Sequence, residues 1–473
     1  MTDVTFEHSE YQACRNKWAL ISSVLGGQEA VKAAKTTYLP KPNPDDKSTE
    51  NETRYSQYLA RAVFYNVAGR TLQGLVGAGF KRAPELETNL DYASTNIDGA
   101  GISVYQQSQS ALASVLGFGR HALLVDYPAT EAPASRAQMA SGLLRATIVS
   151  IDAGQIINWR TAKVGADIKL ILAVIKEAKE TVSDDGFGLT REDQYRVLRL
   201  TEEVYTQEIW RKVEGSWQIV EGPFIVLDSS GVAWDEIPLT FIGSINNDSS
   251  VDPAPLYDLS EINIAHYRNS ADYEDSAFFV GQAQPWMSGL TTEWRDHIEE
   301  TGIYIGSRSP MLLPEGGAFG IESAAPNTLV KEAMDQKEQQ MVALGARLVQ
   351  PGAVVKTVAQ AEGNNEVEHS VLSLASSNVS QAYTKALNWV GRFMGESQES
   401  TYELNRDFAE HHLDPQMLTA LIVAWQSGRL PEADLWGSLK KYGVIDPEKT
   451  DEEIKEELDS QDSGLGLDDL AAS

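Results

Sequence analysis

The hydrophobic pattern changes period twice along this chain, and that order restricts the fold more than any single motif does. From Arg145 to Ile242 the apolar residues come in short strand-like runs: RATIVSI, IKLILAVI, YRVLRLT, VYTQEIWRK, WQIVEGPFIVL and IPLTFI. Asp152-Ala153-Gly154, Asp184-Asp185-Gly186, Glu214-Gly215 and Ser229-Ser230-Gly231 separate them. Turn residues between β-branched runs predict a largely antiparallel region joined by hairpins. On either side, apolar residues recur every three or four positions, the spacing of one helix face. Strands gathered in one stretch and helices on both flanks predict an α+β chain.

The helical parts can be placed one by one. Residues 1 to 35 read as a short helix or two, and LPKPNPDDKSTEN, Leu39 to Asn51, as a loop. A helix is expected from Glu52 to about Gly74, with Tyr55, Leu59, Ala62, Val63, Asn66 and Val67 near one face. Another should run from Ser103, a plausible N-cap, to Leu116, followed by a strand in HALLVDYP, His121 to Pro128. Beyond the β region, the stripe Leu256, Leu259, Ile262, Ala265 and Tyr267 predicts a long helix. A small β-containing module is expected from Phe279 to Ile321, then helices from Thr328 to Leu348 and from about Val367 to Met394. Residues 350 to 365 read as a loop and Asn405 to Val444 as short helical pieces. Asp451 to Leu458 reads as helical, before a final Gly-Leu-Gly-Leu-Asp-Asp-Leu that suits disorder or a docking peptide.

A chain of 473 residues has room for two to four domains. With 42% apolar and 23% charged residues it has the balance of a folded, soluble protein. No apolar run approaches the roughly 18 residues of a membrane span, and the N-terminus lacks the basic region and apolar core of a signal peptide. The one cysteine, Cys14, rules out an intrachain disulfide framework and suits a reducing compartment. Net charge is −29, from 68 Asp plus Glu against 39 Lys plus Arg. Residues 451 to 473 hold nine acids and one lysine, which is −8 of that total. Such a balance argues against a basic groove that grips DNA. It fits simple solubility, or a surface that faces DNA without holding it.

No catalytic pattern stands out. Gly69, Gly74, Gly77 and Gly79 lack the Gly-Lys-Ser/Thr ending of a phosphate loop and the setting of a dinucleotide site. His411 and His412 are neighbours, so a helix would point them about 100° apart, unlike a zinc pair. His266, in the stripe INIAHYR, reads as packed or hydrogen-bonded within an interface. Paired acids such as Asp184-Asp185 and Glu299-Glu300 arise without purpose in so acidic a chain. There is no Gly-x-Ser-x-Gly elbow. The expectation is a protein with no catalytic residue, metal or cofactor. Arg54, Arg61 and Arg70, with Lys81-Arg82, surround the first apolar helix and should pair with acids within or between subunits. DNA contact is the sharper reading.

Four stretches carry a resemblance. They are RYSQYLARAVFYNVAGRTLQGLVGAGFKRAP (Arg54 to Pro84), SVLGFGRHALLVDYP (Ser114 to Pro128), SIDAGQIINWR (Ser150 to Arg160) and LYDLSEINIAHYRNSADYEDSAFFVGQAQPWMSG (Leu256 to Gly289). With IYIGSRSPMLLPEGG they span residues 54 to 317. In order and combined length they resemble the portal proteins of tailed phages, in a branch known by an uncharacterised domain. The last third matches by architecture more than by motif.

The resemblance implies a phage portal fold with wing, helical stem, small α/β clip and helical crown. Placed on this chain, it implies a wing over residues 1–246, a stem helix over 247–278, a clip over 279–323 and a returning stem helix over 324–349. A tunnel loop over 350–368, a long wing helix over 369–404, a crown over 405–447 and an acidic tail over 448–473 would follow. It further implies a dodecameric ring at one capsid vertex, through which double-stranded DNA is packaged and ejected. The expected partners are the terminase large subunit, head–tail adaptor or tail proteins, and major capsid and scaffolding proteins, with assembly in the host cytoplasm and no membrane. Lys331, Lys337, Lys356 and Glu362 would lie near the channel and its DNA. Arg54, Arg61, Arg70, Tyr267 and Tyr273 would serve contacts between subunits. Alternatives are another head–tail connector or minor capsid protein, a metal-dependent nucleic-acid enzyme, and a carbohydrate- or host-binding β module in residues 145 to 242.

Overall fold

A computed structural model describes residues 3–127, 144–228, 230–282, 284–302, 313–322, 328–349, 370–405, 422–425, 427, 429–441, 445 and 449–462. It contains two compact units, Met1–Arg406 and Asp407–Ser473. Among the described residues no helix is long and apolar enough to cross a membrane.

The first unit begins with helices α1 (Ser9–Leu25), α2 (Gly27–Ala33), α3 (Thr49–Arg61) and α4 (Val67–Gly79). Here the sequence reading needs a correction: the helix expected from Glu52 to Gly74 is two helices. The chain leaves α3 at Ala62, whose ψ of 134° is extended, and re-enters helix only after Asn66, whose side chain caps the Gly69 N–H at 2.9 Å. Helix α5 (Val104–Phe118) follows the expected pattern. Ser103 and Gln106 form a reciprocal capping box, and Gly119 ends the helix in the left-handed region at φ 73°. A side chain at Gly119 would also meet the Asp252 and Pro253 carbonyls at 2.6 Å, so glycine is required there twice over.

The strands divide into separate sheets. β2 (Arg120–Asp126) is the buried centre of a three-stranded antiparallel sheet, between β3 (Thr147–Asp152) and β9 (Leu239–Gly243). The intervening chain folds into an antiparallel meander in sequence order: β4 (Ile156–Val164), β5 (Asp167–Val182), β6 (Leu189–Thr201), β7 (Val204–Val213) and β8 (Ser216–Ile225). The β region is therefore antiparallel as expected, but it forms two sheets, and IPLTFI belongs to the one built on β2. The meander holds a strained turn. Glu202 and Glu203, between β6 and β7, both have positive φ (51° and 62°). Asparagine and glycine are usual there, and each glutamate costs about 1–2 kcal/mol of backbone energy. The β7–β8 turn, Glu214 then Gly215, is closer to the usual pattern.

One meander face packs Ile157, Val174, Tyr195 and Val197 with Val4 and Tyr11 from the N-terminus. The other carries a polar ladder. The Arg196 guanidinium donates to Glu177 at 2.8 Å, Asp126 at 3.2 Å and Gln207 at 3.3 Å, which ties the meander to β2.

Helix α9 (Val371–Met394), which follows α6 (Tyr257–Gly281), α7 (Thr292–Thr301) and α8 (Thr328–Val349) in the chain, is the core of this unit. Leu372, Ala375, Val379, Ala382, Tyr383, Ala386, Leu387, Val390 and Phe393 are all buried on it. It packs on α4, α5, β2 and β9. A helix apolar on so many sides has to lie inside a domain. A short pair, β1 (Glu85–Glu87) with β12 (Thr401–Glu403), closes this end. The second unit contains α10 (Glu432–Lys441) and α11 (Asp451–Asp462), where Leu435, Trp436 and Ile454 are buried. The expected Asp451–Leu458 helix is part of α11. His411, His412 and the final Gly-Leu-Gly segment lie outside the described residues.

Candidate functional site

The expected stem and clip residues form a module of two long helices around a small sheet. α6 (Tyr257–Gly281) leads into β10 (Gln284–Ser288) and α7 (Thr292–Thr301), and β11 (Ala318–Glu322) leads into α8 (Thr328–Val349). β10 and β11 pair antiparallel from Gln284↔Glu322 to Ser288↔Ala318, which sets the end of α6 beside the start of α8. The helices then run back along each other and are joined midway by His266 and Glu338 (Nε2 to Oε1, 3.3 Å). At 1.5 Å per residue their 25 and 22 residues span roughly 37 and 33 Å.

α6 is also the post on which the N-terminal helices turn. Asn263 is fully buried, and its Oδ1 accepts the Val67 and Ala68 N–H groups at 3.1 Å each. Its Nδ2 donates to the Tyr65 carbonyl at 2.8 Å. One turn or two further on, Ser270 Oγ accepts the Val63 N–H at 3.0 Å. These bonds satisfy backbone groups freed by the break between α3 and α4, which explains why the chain breaks there. Below them Tyr58 donates to Asp272 at 2.6 Å, and burial together with that carboxylate raises the phenol far above its usual range.

The sequence-selected residues scatter around this module. Arg61 pairs with Asp275 at 3.3 Å and lies 3.9 Å over the Phe278 ring; Arg54 lies 5.9 Å from Phe279. Both arginines thus dress the far end of α6 in the same chain. Arg70 is exposed on α4, and Tyr273 is 37% exposed on α6. Tyr267 is fully buried inside the chain, 6.0 Å from Phe64, and burial raises its hydroxyl to about 12. It is a core residue, not one available to a neighbour. Lys331 is exposed on α8 and Lys337 half-buried. Lys356, Glu362 and the 350–368 loop lie outside the described residues.

His266 is packed as expected, 3% exposed between the two helices. Burial pulls its imidazole below the ordinary range, while Glu338 pulls the other way. Sequence reasoning passed over Asn263 and Ser270. Their only signal was polar residues at helical spacing within the apolar stripe of INIAHYRNSAD.

Two other buried basic side chains, Arg120 and His121, find their contacts within the fold. Arg120 lies between Trp159 and Phe241, 4.1 Å from each, and donates to the Ser249 carbonyl at 3.0 Å; burial lowers it to about 10. His121 contacts Ser150 Oγ at 2.7 Å, and complete burial lowers it to about 4. Among the described residues no group of three or more His, Cys, Asp or Glu could hold a metal ion.

Comparison with known proteins gives one family match. Residues 255–394 match a domain of unknown function, DUF4055. Those bounds run from the start of α6 to the end of α9. No curated protein matches the chain. Among solved structures, a chain from the neck of an empty GTA particle, computed with C6 symmetry, is 15% identical. The match covers 80% of this chain and 90% of that one, with a TM-score of 0.42. A chain from the virion of a native gene transfer agent particle is 14% identical, over 85% of this chain and 94% of that one, with a TM-score of 0.38.

Proposed function

We propose that this chain is a subunit of a phage portal-type ring, a non-enzymatic channel for double-stranded DNA at one capsid vertex. The observation that carries the reading is the antiparallel pair α6 and α8 closed at one end by the β10–β11 module. Two helices of similar length around a compact clip are what a tubular stem requires of each subunit. The resemblance carried by Leu256 to Gly289, which covers α6 and β10, supports the same reading. In this reading α6 and α8 are the stem, residues 279–323 the clip, and α9 the helix that returns into the wing. Subunits close head to tail, one surface meeting a different surface of the next. The terminase large subunit, an adaptor or tail protein, and capsid or scaffolding proteins dock on the finished ring.

The chain supplies geometry and charge, with no bond chemistry of its own. Duplex DNA carries one charge per about 1.7 Å of axis, and a wall that neutralised it would release counterions and hold it fast. Glu332 and Asp335 are exposed on α8, beside Lys331 and Lys337. A wall of mixed sign, acidic overall, lets the polymer slide, with a few flexible ammonium groups to touch phosphate in passing. Assembled wild-type protein should therefore retain little duplex DNA at moderate salt. The Glu332→Lys, Asp335→Lys variant should retain it about tenfold more, with a steeper loss as salt rises. Filter retention across a salt series reads both quantities. Tight retention by the wild type, or equal retention by the variant, would contradict the sliding wall.

A further inference from the structure

The meander carries an arm whose end is unexplained by the fold around it. β4 pairs with β5 only as far as Ile175, and β7 reaches β6 only to Gln194. From Ala178↔Asp193 to Val182↔Leu189, β5 and β6 therefore pair with each other alone. Those five pairs extend roughly 17 Å as a two-stranded ribbon. Such ribbons are marginal in water without something to pack against. The tip is nonetheless braced. Asp185 accepts the Phe187 N–H at 3.0 Å and the Ser183 hydroxyl, and Ser183 Oγ accepts the Gly188 N–H at 2.7 Å. This bracing holds Phe187 outward, 94% exposed, between Val182 (58%) and Leu189 (52%). A fixed turn that presents three apolar side chains to water is preorganised for a partner.

The same unit offers a cleft of about 580 Å³ between α1, α4 and α5, lined by Trp18, Leu25, Leu72, Ala113 and Phe118, with Arg15 half-exposed at its edge. Within it the Ser114 hydroxyl is buried and finds no partner among the described residues. Asp152 also borders the cleft.

We infer that the β5–β6 tip of one copy seats in the α1–α4–α5 cleft of the next. This rests on the ring reading and supplies one of its subunit contacts. Three features select a second copy as the occupant. Knob and hole lie on different surfaces of one chain, as a head-to-tail interface requires. The segment 181–189, TVSDDGFGL, carries two aspartates and no cation, and the cation at the cleft's edge is Arg15, paired with Glu7 at 2.9 Å and still half-exposed. Finally, the arm's 16 residues, 178 to 193, are most of one side of a standard interface of about 20–30 residues.

The test uses the full-length chain with Cys14→Ser. Phe187→Cys protein is mixed with Ala113→Cys protein and oxidised under assembly conditions, and a chain carrying both changes is oxidised alone. The expected results are a mixed disulfide dimer in the first case and a ladder beyond dimer in the second. In parallel, Phe187→Ser should raise the concentration needed for assembly about tenfold. Open rings that assemble without either crosslink would overturn the arm contact and leave the ring reading standing. A chain that stays monomeric under every condition would overturn both.

Discussion

Asn263→Ala is expected to destabilise the first unit by about 1–3 kcal/mol, because one buried side chain bonds three backbone groups, of which the Ala68 N–H is fully buried. The buried Ala68 N–H would lose its Asn263 partner, at about 1–3 kcal/mol, whereas the Val67 N–H and the Tyr65 carbonyl still bond each other at 2.8 Å. Asn263→Asp is the discriminating companion. A carboxylate can still accept both N–H groups, but it cannot donate to Tyr65 and it buries a charge. Both variants should therefore be destabilised. Hydrogen exchange at Val67 and Ala68 should rise more in the alanine variant than in the aspartate one. Denaturant unfolding gives the first quantity and exchange mass spectrometry the second. Unchanged exchange at those amides in Asn263→Ala would show that the break between α3 and α4 is held by something else.

Phe393→Ala should cost about 3–5 kcal/mol by the same kind of measurement, through lost packing and not lost hydrogen bonds. Phe393 is fully buried at the end of α9. Its ring stacks on Trp234 at 3.8 Å with planes 6° apart, and on Tyr127 at 5.4 Å and 13°. Arg392 covers the outer side of Trp234 at 3.9 Å and pairs with Asp235 at 2.7 Å. The column joins α9 to the segments after β2 and before β9. Phe393→Leu keeps most of the apolar volume and loses the ring–ring terms, about 0.5–1.5 kcal/mol per pair, so its cost should be clearly smaller. Equal costs would mean that ring geometry contributes nothing here.

The elements legible in the sequence are those whose determinants are local. α5 announces itself through Ser103 and Gln106, α8 and α9 through apolar spacing, and the meander through its turn residues. The split between α3 and α4 is hidden because YSQYLARAVFYNVAG keeps its apolar spacing straight through it. The cause lies about 200 positions away, in Asn263 and Ser270, and no local rule reaches them. Strand β9 was legible as a strand, but its membership of the β2 sheet depends on a pairing that skips the whole meander.

The candidate site was legible in outline and not in detail. Arg61 was expected to meet an acid, and Asp275 of the same chain is that acid. For Tyr267 the resemblance implies a subunit contact, and its place in a helical stripe suits a core equally. The complete burial of Tyr267 makes it core. In the sequence the arm tip is only a separator between two strand runs, since Asp-Asp-Gly-Phe-Gly has the composition of any loop. Its bracing becomes visible only once Ser183, Asp185 and Gly188 are seen together.

The most direct measurement is the mass of the native assembly together with its image down the symmetry axis. The account expects many identical subunits in a closed ring, with an open axial hole wider than the roughly 20 Å of a DNA duplex, and α6 and α8 of every subunit lining or backing that hole. A stable monomer, or a closed particle with no passage through it, would contradict the account.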